Sequence, residues 1–70
     1  MNIKIGRIKK HLTQTKLRVL LKEKYSIGLS PNKIVAIEKG DYTGLKYHEM
    51  VAISQILEIP VQDLFFPVEE

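Results

Sequence analysis

The sequence predicts an all-α fold. Three observations carry that expectation: turn signals cut the chain into about five short segments, the apolar residues within them recur three and four apart, and no segment makes a convincing strand. With 70 residues there is room for one domain, residues 1–70, in which almost every apolar side chain serves a single core.

The first segment, from about Ile3 to Lys10, sets Ile3, Ile5 and Ile8 among basic residues. Gly6 lies inside it and weakens the helix by about 1 kcal/mol relative to alanine, a cost that close packing against another helix would explain. Thr13 is an N-cap for a second helix through about Lys24, with Leu17, Leu20 and Leu21 spaced to bury one face. Tyr25 to Leu29 forms a connection in which Ser26 and Gly28 interrupt the helix while Ile27 and Leu29 fold back on the core. Ser30 followed by Pro31 is the clearest start signal, an N-cap and then a proline at the first helical position, where its missing N–H costs nothing. The third helix runs through Lys39 and ends at Gly40, a natural C′ residue. Within it Ile34 and Ile37 face the core, which sends Asn32, Lys33 and Ala36 toward the other side.

Asp41, Thr43 and Gly44 make a turn, after which Tyr47, Met50, Val51, Ile53, Ile56 and Leu57 define an amphipathic fourth helix. Ile59-Pro60 ends it, and Pro60 favours a short last helix, Val61 to Phe65, whose Val61, Leu64 and Phe65 close the core. Residues 66–70 remain as a tail in which Phe66, Pro67 and Val68 precede two glutamates.

Composition narrows the function. Without cysteine there are neither disulfides nor thiolate metal sites, and the apolar runs are too short to cross a bilayer. No apolar N-terminal run with a cleavage site suggests export, so a soluble, cytoplasmic protein is expected. His11 and His48 have no companion at ligand spacing, and neither metal nor cofactor is expected. No phosphate-binding glycine loop, carboxylate pair or nucleophile with a base emerges, so an enzyme is not expected.

The charge is divided along the chain. Residues 1–40 hold ten of the eleven Lys and Arg against Glu23 and Glu38, a net of +8. From Asp41 onward only Lys46 opposes six carboxylates, a net of −5. Such a division suits a polyanion bound on one face, and it also suits ordinary solvated helix faces.

Four stretches recur in one order in a known family: Ile3-Lys4-Ile5-Gly6-Arg7; Leu12-Thr13-Gln14 with Leu17 and Leu21; Ser30 through Ile37-Glu38-Lys39-Gly40; and Ile59-Pro60-Val61-Gln62-Asp63-Leu64-Phe65. In their spacing they resemble the lambda-repressor and Cro-like (XRE-type) helix-turn-helix family of bacterial and phage regulators, over nearly the whole chain. The resemblance implies a five-helix bundle that places the helix from Ser30 to Lys39 in the major groove. It implies that Gln14 and Lys39 contact DNA phosphates, that Arg7 and Glu38 form a structural salt bridge, and that Asn32, Lys33 and Ala36 fall on base-reading positions. Their chemistry suits base recognition, since asparagine reads adenine, lysine donates to guanine, and the alanine methyl meets thymine. Tyr42, after the glycine, is a further candidate for a phosphate contact.

Two features depart from the family. Lys22 to Leu29 make the connection between second and third helices about six residues longer than usual, and Arg18 stands where a small residue is expected. The helix pair is expected to keep its angle through Ile34 and Ile37 packing on Leu17 and Leu21. The implied function is sequence-specific binding of a double-stranded DNA operator by a small transcriptional repressor acting through promoter occlusion. A homodimer is expected, with Phe65, Phe66 and Val68 as its contact, because one recognition helix reads only a few base pairs. The alternative is a protein-interaction module, such as an antitoxin neutralising a partner protein, with DNA binding weak or lost.

Overall fold

Asn2 opens the first helix: its Oδ1 accepts from the Ile5 N–H at 2.8 Å, ahead of α1 (Ile3–Lys9). The same device starts two more helices. Thr13 Oγ1 accepts from the Lys16 N–H at 3.0 Å before α2 (Gln14–Tyr25), and Ser30 Oγ accepts from the Lys33 N–H at 3.1 Å before α3 (Pro31–Glu38). In α4 (Tyr47–Leu57) Glu49 Oε1 reaches back to accept from the Lys46 N–H at 2.8 Å, and α5 (Val61–Phe65) follows Pro60. These elements belong to a computed structural model that describes residues 2–66. Among the described residues there is no strand, so the chain is all-α, and no helix is long and apolar enough to cross a membrane.

Helix ends are closed by left-handed residues. Gly40, at φ +90°, donates its N–H to Ile37 O at 3.0 Å while Asp41 donates to Ala36 O at 2.9 Å, the paired bonds of a Schellman end. His11, at φ +58°, ends α1 in the same way, with Leu12 N–H on Arg7 O at 3.0 Å. Glu58, at φ +57°, does so for α4 through Ile59 N–H on Ser54 O at 3.1 Å. Neither left-handed residue is a glycine, and nothing in the local sequence announces either conformation.

The core joins all five helices and two connections. Leu17 and Leu21 of α2, Ile34 and Ile37 of α3, and Ile53 and Leu57 of α4 are fully buried, with Ile3, Ile27, Leu45, Leu64 and Phe65 around them. α2 packs on both α3 and α4, α5 packs on α4, and α1 packs on α3. At Gly6 a Cβ would fall 2.7 Å from Ile59 Cδ1 and 3.5 Å from Leu57 Cδ1, so the missing side chain admits the end of α4 against α1. Ile5 and Ile8 of α1 point outward and remain exposed.

The long connection is anchored at both ends. α2 continues to Tyr25, Ser26 turns the chain at φ +57°, and Ile27 is buried. Arg18, the large residue in place of a small one, donates Nε–H to Leu29 O at 2.8 Å and holds the connection against the flank of α2.

Candidate nucleic-acid interface

At about 100° per residue, the burial of Ile34 and Ile37 fixes which side of α3 is outward. Asn32 and Lys39 lie opposite the core and are exposed, with Val35 and Ala36 on either side of them. Val35 is 38% exposed, which makes it part of this face. The family resemblance does not point to Val35, although its helical phase, one residue past Ile34, is a signal the sequence carries. The resulting surface combines an amide, two apolar groups and an ammonium on a helix whose other side is locked into the core.

Lys33 lies elsewhere. It sits on the flank toward the α3–α4 turn, where its Nζ donates to the carbonyl oxygen of Thr43. A Cβ on Gly44 would be only 3.4 Å from that Nζ, so the glycine at φ +76° leaves space for the ammonium. Asp41 completes the turn by accepting from the Thr43 N–H at 3.0 Å. Hydrogen bonds from the Thr43 hydroxyl and N–H, with the Lys33 charge nearby, hold the Asp41 carboxyl below its ordinary value. The expectation that Lys33 shares the outward face is therefore corrected: its phase is nearer to the core than to Asn32, and its charge serves the turn.

On the opposite flank Glu38 joins three helices. Arg7 of α1 donates Nε–H to Oε2 at 2.6 Å and Nη2–H to Oε1 at 3.3 Å, and its Nη1 donates to Leu12 O at 2.8 Å. The two side chains are 11% and 6% exposed, so the Arg7–Glu38 salt bridge lies mostly out of water. Gln14 of α2 adds an Nε2–H bond to Glu38 Oε1 at 3.0 Å. Burial alone would raise the Glu38 carboxyl, but the hydrogen bonds from Arg7 and Gln14 and the charges of Arg7 and Lys4 outweigh it and hold the group below its ordinary value.

Gln14 thus spends one amide hydrogen on Glu38. Its other N–H and its oxygen have no partner among the described residues. Gln14 and Lys39 line one shallow groove of about 260 Å³ together with Lys4, Val35 and Glu38. The two expected phosphate contacts therefore share a rim beside the outward face of α3, and Lys4 joins them from α1. Tyr42 is half-buried, with its ring edge-on to Phe65 at 5.0 Å between centroids.

The expected dimer contact divides. Phe65 is 5% exposed and belongs to the core beneath Tyr42, so it has no surface to offer a second copy. Phe66 is 48% exposed. Val68 lies outside the described residues.

Fold and site define a small all-α protein with a polar, basic-rimmed helix face on one side. No family model matches the chain, and no curated protein or solved structure matches it.

Proposed function

We propose that this chain binds double-stranded DNA as a helix-turn-helix protein of the lambda-repressor-like kind, with α3 in the major groove. The observation that carries this reading is the outward face of α3 itself: Asn32, Val35, Ala36 and Lys39 together on a helix fixed on its other side by Ile34, Ile37 and the Glu38 hub. A helix with its side chains is about 10–12 Å across, which fits a major groove about 12 Å wide.

In this reading Asn32 reads adenine at N6 and N7, and the methyl groups of Val35 and Ala36 meet thymine. Lys39, Lys4, the free amide hydrogen of Gln14 and the Tyr42 hydroxyl take phosphates. For Lys33 to read guanine it must first exchange its exposed bond to Thr43 O for the base edge. The protein acts as a repressor by occluding a promoter. It does so as a homodimer whose half-sites lie about 34 Å apart and whose contact includes Phe66.

The test is selection from a pool of random duplexes with affinity followed against salt. Enrichment of a palindromic site with salt-dependent affinity supports the reading. No enrichment at low salt, with a stoichiometric protein partner on co-purification, replaces it with the protein-interaction module.

A further inference from the structure

The geometry points to a second phosphate-binding site at the far end of α2, formed by Arg18, Lys22 and the backbone around Gly28, which grips the DNA strand across the major groove from Gln14. This inference rests on the DNA-binding reading and adds to it a contact surface built by the long α2–α3 connection.

Three observations carry it. First, Gln14, Arg18 and Lys22 are spaced four apart on α2 and so form one stripe along it. The stripe runs beside α3: Gln14 bonds Glu38 at the C-terminal end of α3, and Arg18 bonds Leu29 just before its N-terminal end. Eight residues at 1.5 Å separate Gln14 from Lys22 by about 12 Å, the width of the groove α3 would occupy. The two ends of α2 are thus placed to meet opposite strands.

Second, the cations at this end are uncommitted. Arg18 uses only Nε on Leu29 O, and its terminal nitrogens have no partner among the described residues. Neither Arg18 nor Lys22 has a carboxylate partner there, whereas Arg7 pairs with Glu38 and Lys10 with Glu58. A guanidinium fixed through one nitrogen presents the others at a set angle, which suits bidentate capture of a phosphodiester.

Third, the surface is concave. Arg18, Val19, Lys22, Gly28 and Leu29 line an open groove of about 300 Å³ between α2 and the connection. A Cβ on Gly28 would meet nothing within 4 Å, so a phosphate has free access and a side chain can be introduced there without strain.

The experiment titrates salt against the affinity of the full chain for one duplex taken from the selection, comparing the unaltered protein with Lys22→Ala, Gly28→Lys and Lys24→Ala. Lys24 lines a different groove, on the α4 side of the same helix, and serves as a control of equal charge change. The slope of log K against log salt is expected to shrink by about 0.9 in Lys22→Ala and to grow by about 0.9 in Gly28→Lys, with Lys24→Ala unchanged. Phosphate ethylation is expected to interfere on both strands flanking α3. Because Gly28→Lys is a gain of contact, loss of folding cannot imitate it. If the unaltered protein binds with a salt-dependent slope but Lys22→Ala and Gly28→Lys leave that slope as it was, the second site is overturned and the DNA reading stands. If the unaltered protein binds no duplex, both fall together.

Discussion

Gln14, the first residue of α2, and Glu38, the last of α3, are joined by a 3.0 Å hydrogen bond to the carboxylate that Arg7 already holds from α1. One anion therefore sets the relation of three helices at the edge of the outward α3 face. Since the pair is mostly desolvated, its role is to fix geometry, and removing one partner costs far more than the intact pair contributes.

Arg7→Ala is expected to destabilise the chain by about 3 kcal/mol, because Glu38 then remains in its site without its main partner. Urea unfolding followed by circular dichroism measures this. In Arg7→Met with Glu38→Leu the loss should be smaller than the sum of the two single losses. Additive losses would show that the pair is uncoupled.

Acid should weaken the fold through the same group. The folded Glu38 carboxyl lies below its ordinary value of 4.5, so its stabilisation is complete above that value and is lost as pH falls through the lower, folded one. Asp41 and Glu58 are lowered too, Glu58 by its hydrogen bond and charge pairing with Lys10, and they add in the same direction. The melting temperature should hold nearly level from pH 7 to about 5 and fall below about 4.5. Glu38→Gln should melt lower at neutral pH with a flatter acid limb, and an equally steep limb would move the effect to other carboxylates.

Substitutions on α3 should separate reading from gripping. Asn32→Ala is expected to cost about 1–3 kcal/mol of discrimination at one base pair, whereas Lys39→Ala should weaken binding to all duplexes alike. Lys33→Ala is expected to affect specificity less than Asn32→Ala and to speed hydrogen exchange at Thr43 to Leu45, since its ammonium holds that turn. A Lys33→Ala protein with a protected turn and relaxed specificity would return Lys33 to the base-reading set.

His11→Gly is expected to stabilise the fold by about 0.5–1 kcal/mol. Glycine removes a left-handed penalty of about 1–2 kcal/mol and returns part of it as entropy of the unfolded chain. His11 is exposed, so no packing is lost, and thermal melts check the sign.

Much of the fold is legible in the sequence because its signals are local. Thr13, Ser30-Pro31 and Gly40 act on the backbone within three residues, and the helices they bound begin and end within one residue of expectation. Leu17, Leu21, Ile34 and Ile37 are legible as core from spacing alone. The direction of Lys33 is less so, because treating every residue of α3 other than Ile34 and Ile37 as outward ignores that Lys33, directly before Ile34, lies on a flank. The burial of Phe65 is legible from its place in α5, but its edge-on contact with Tyr42 is not, because nothing in a local window brings those two residues together.

By itself, then, the sequence determined the number of helices, their caps, the apolar stripes and the division of charge between the two halves. Those follow from backbone hydrogen bonding and helical period, which act over a few residues. Which polar groups stay free was decided by the tertiary structure alone. Arg7, Gln14 and Glu38 come from three separate stretches, as do Lys33 with Thr43 and Arg18 with Leu29, and each pairing exists only once packing has brought distant segments within hydrogen-bonding reach. The same packing left Asn32, Val35, Lys39 and Lys22 facing outward with nothing yet to hold.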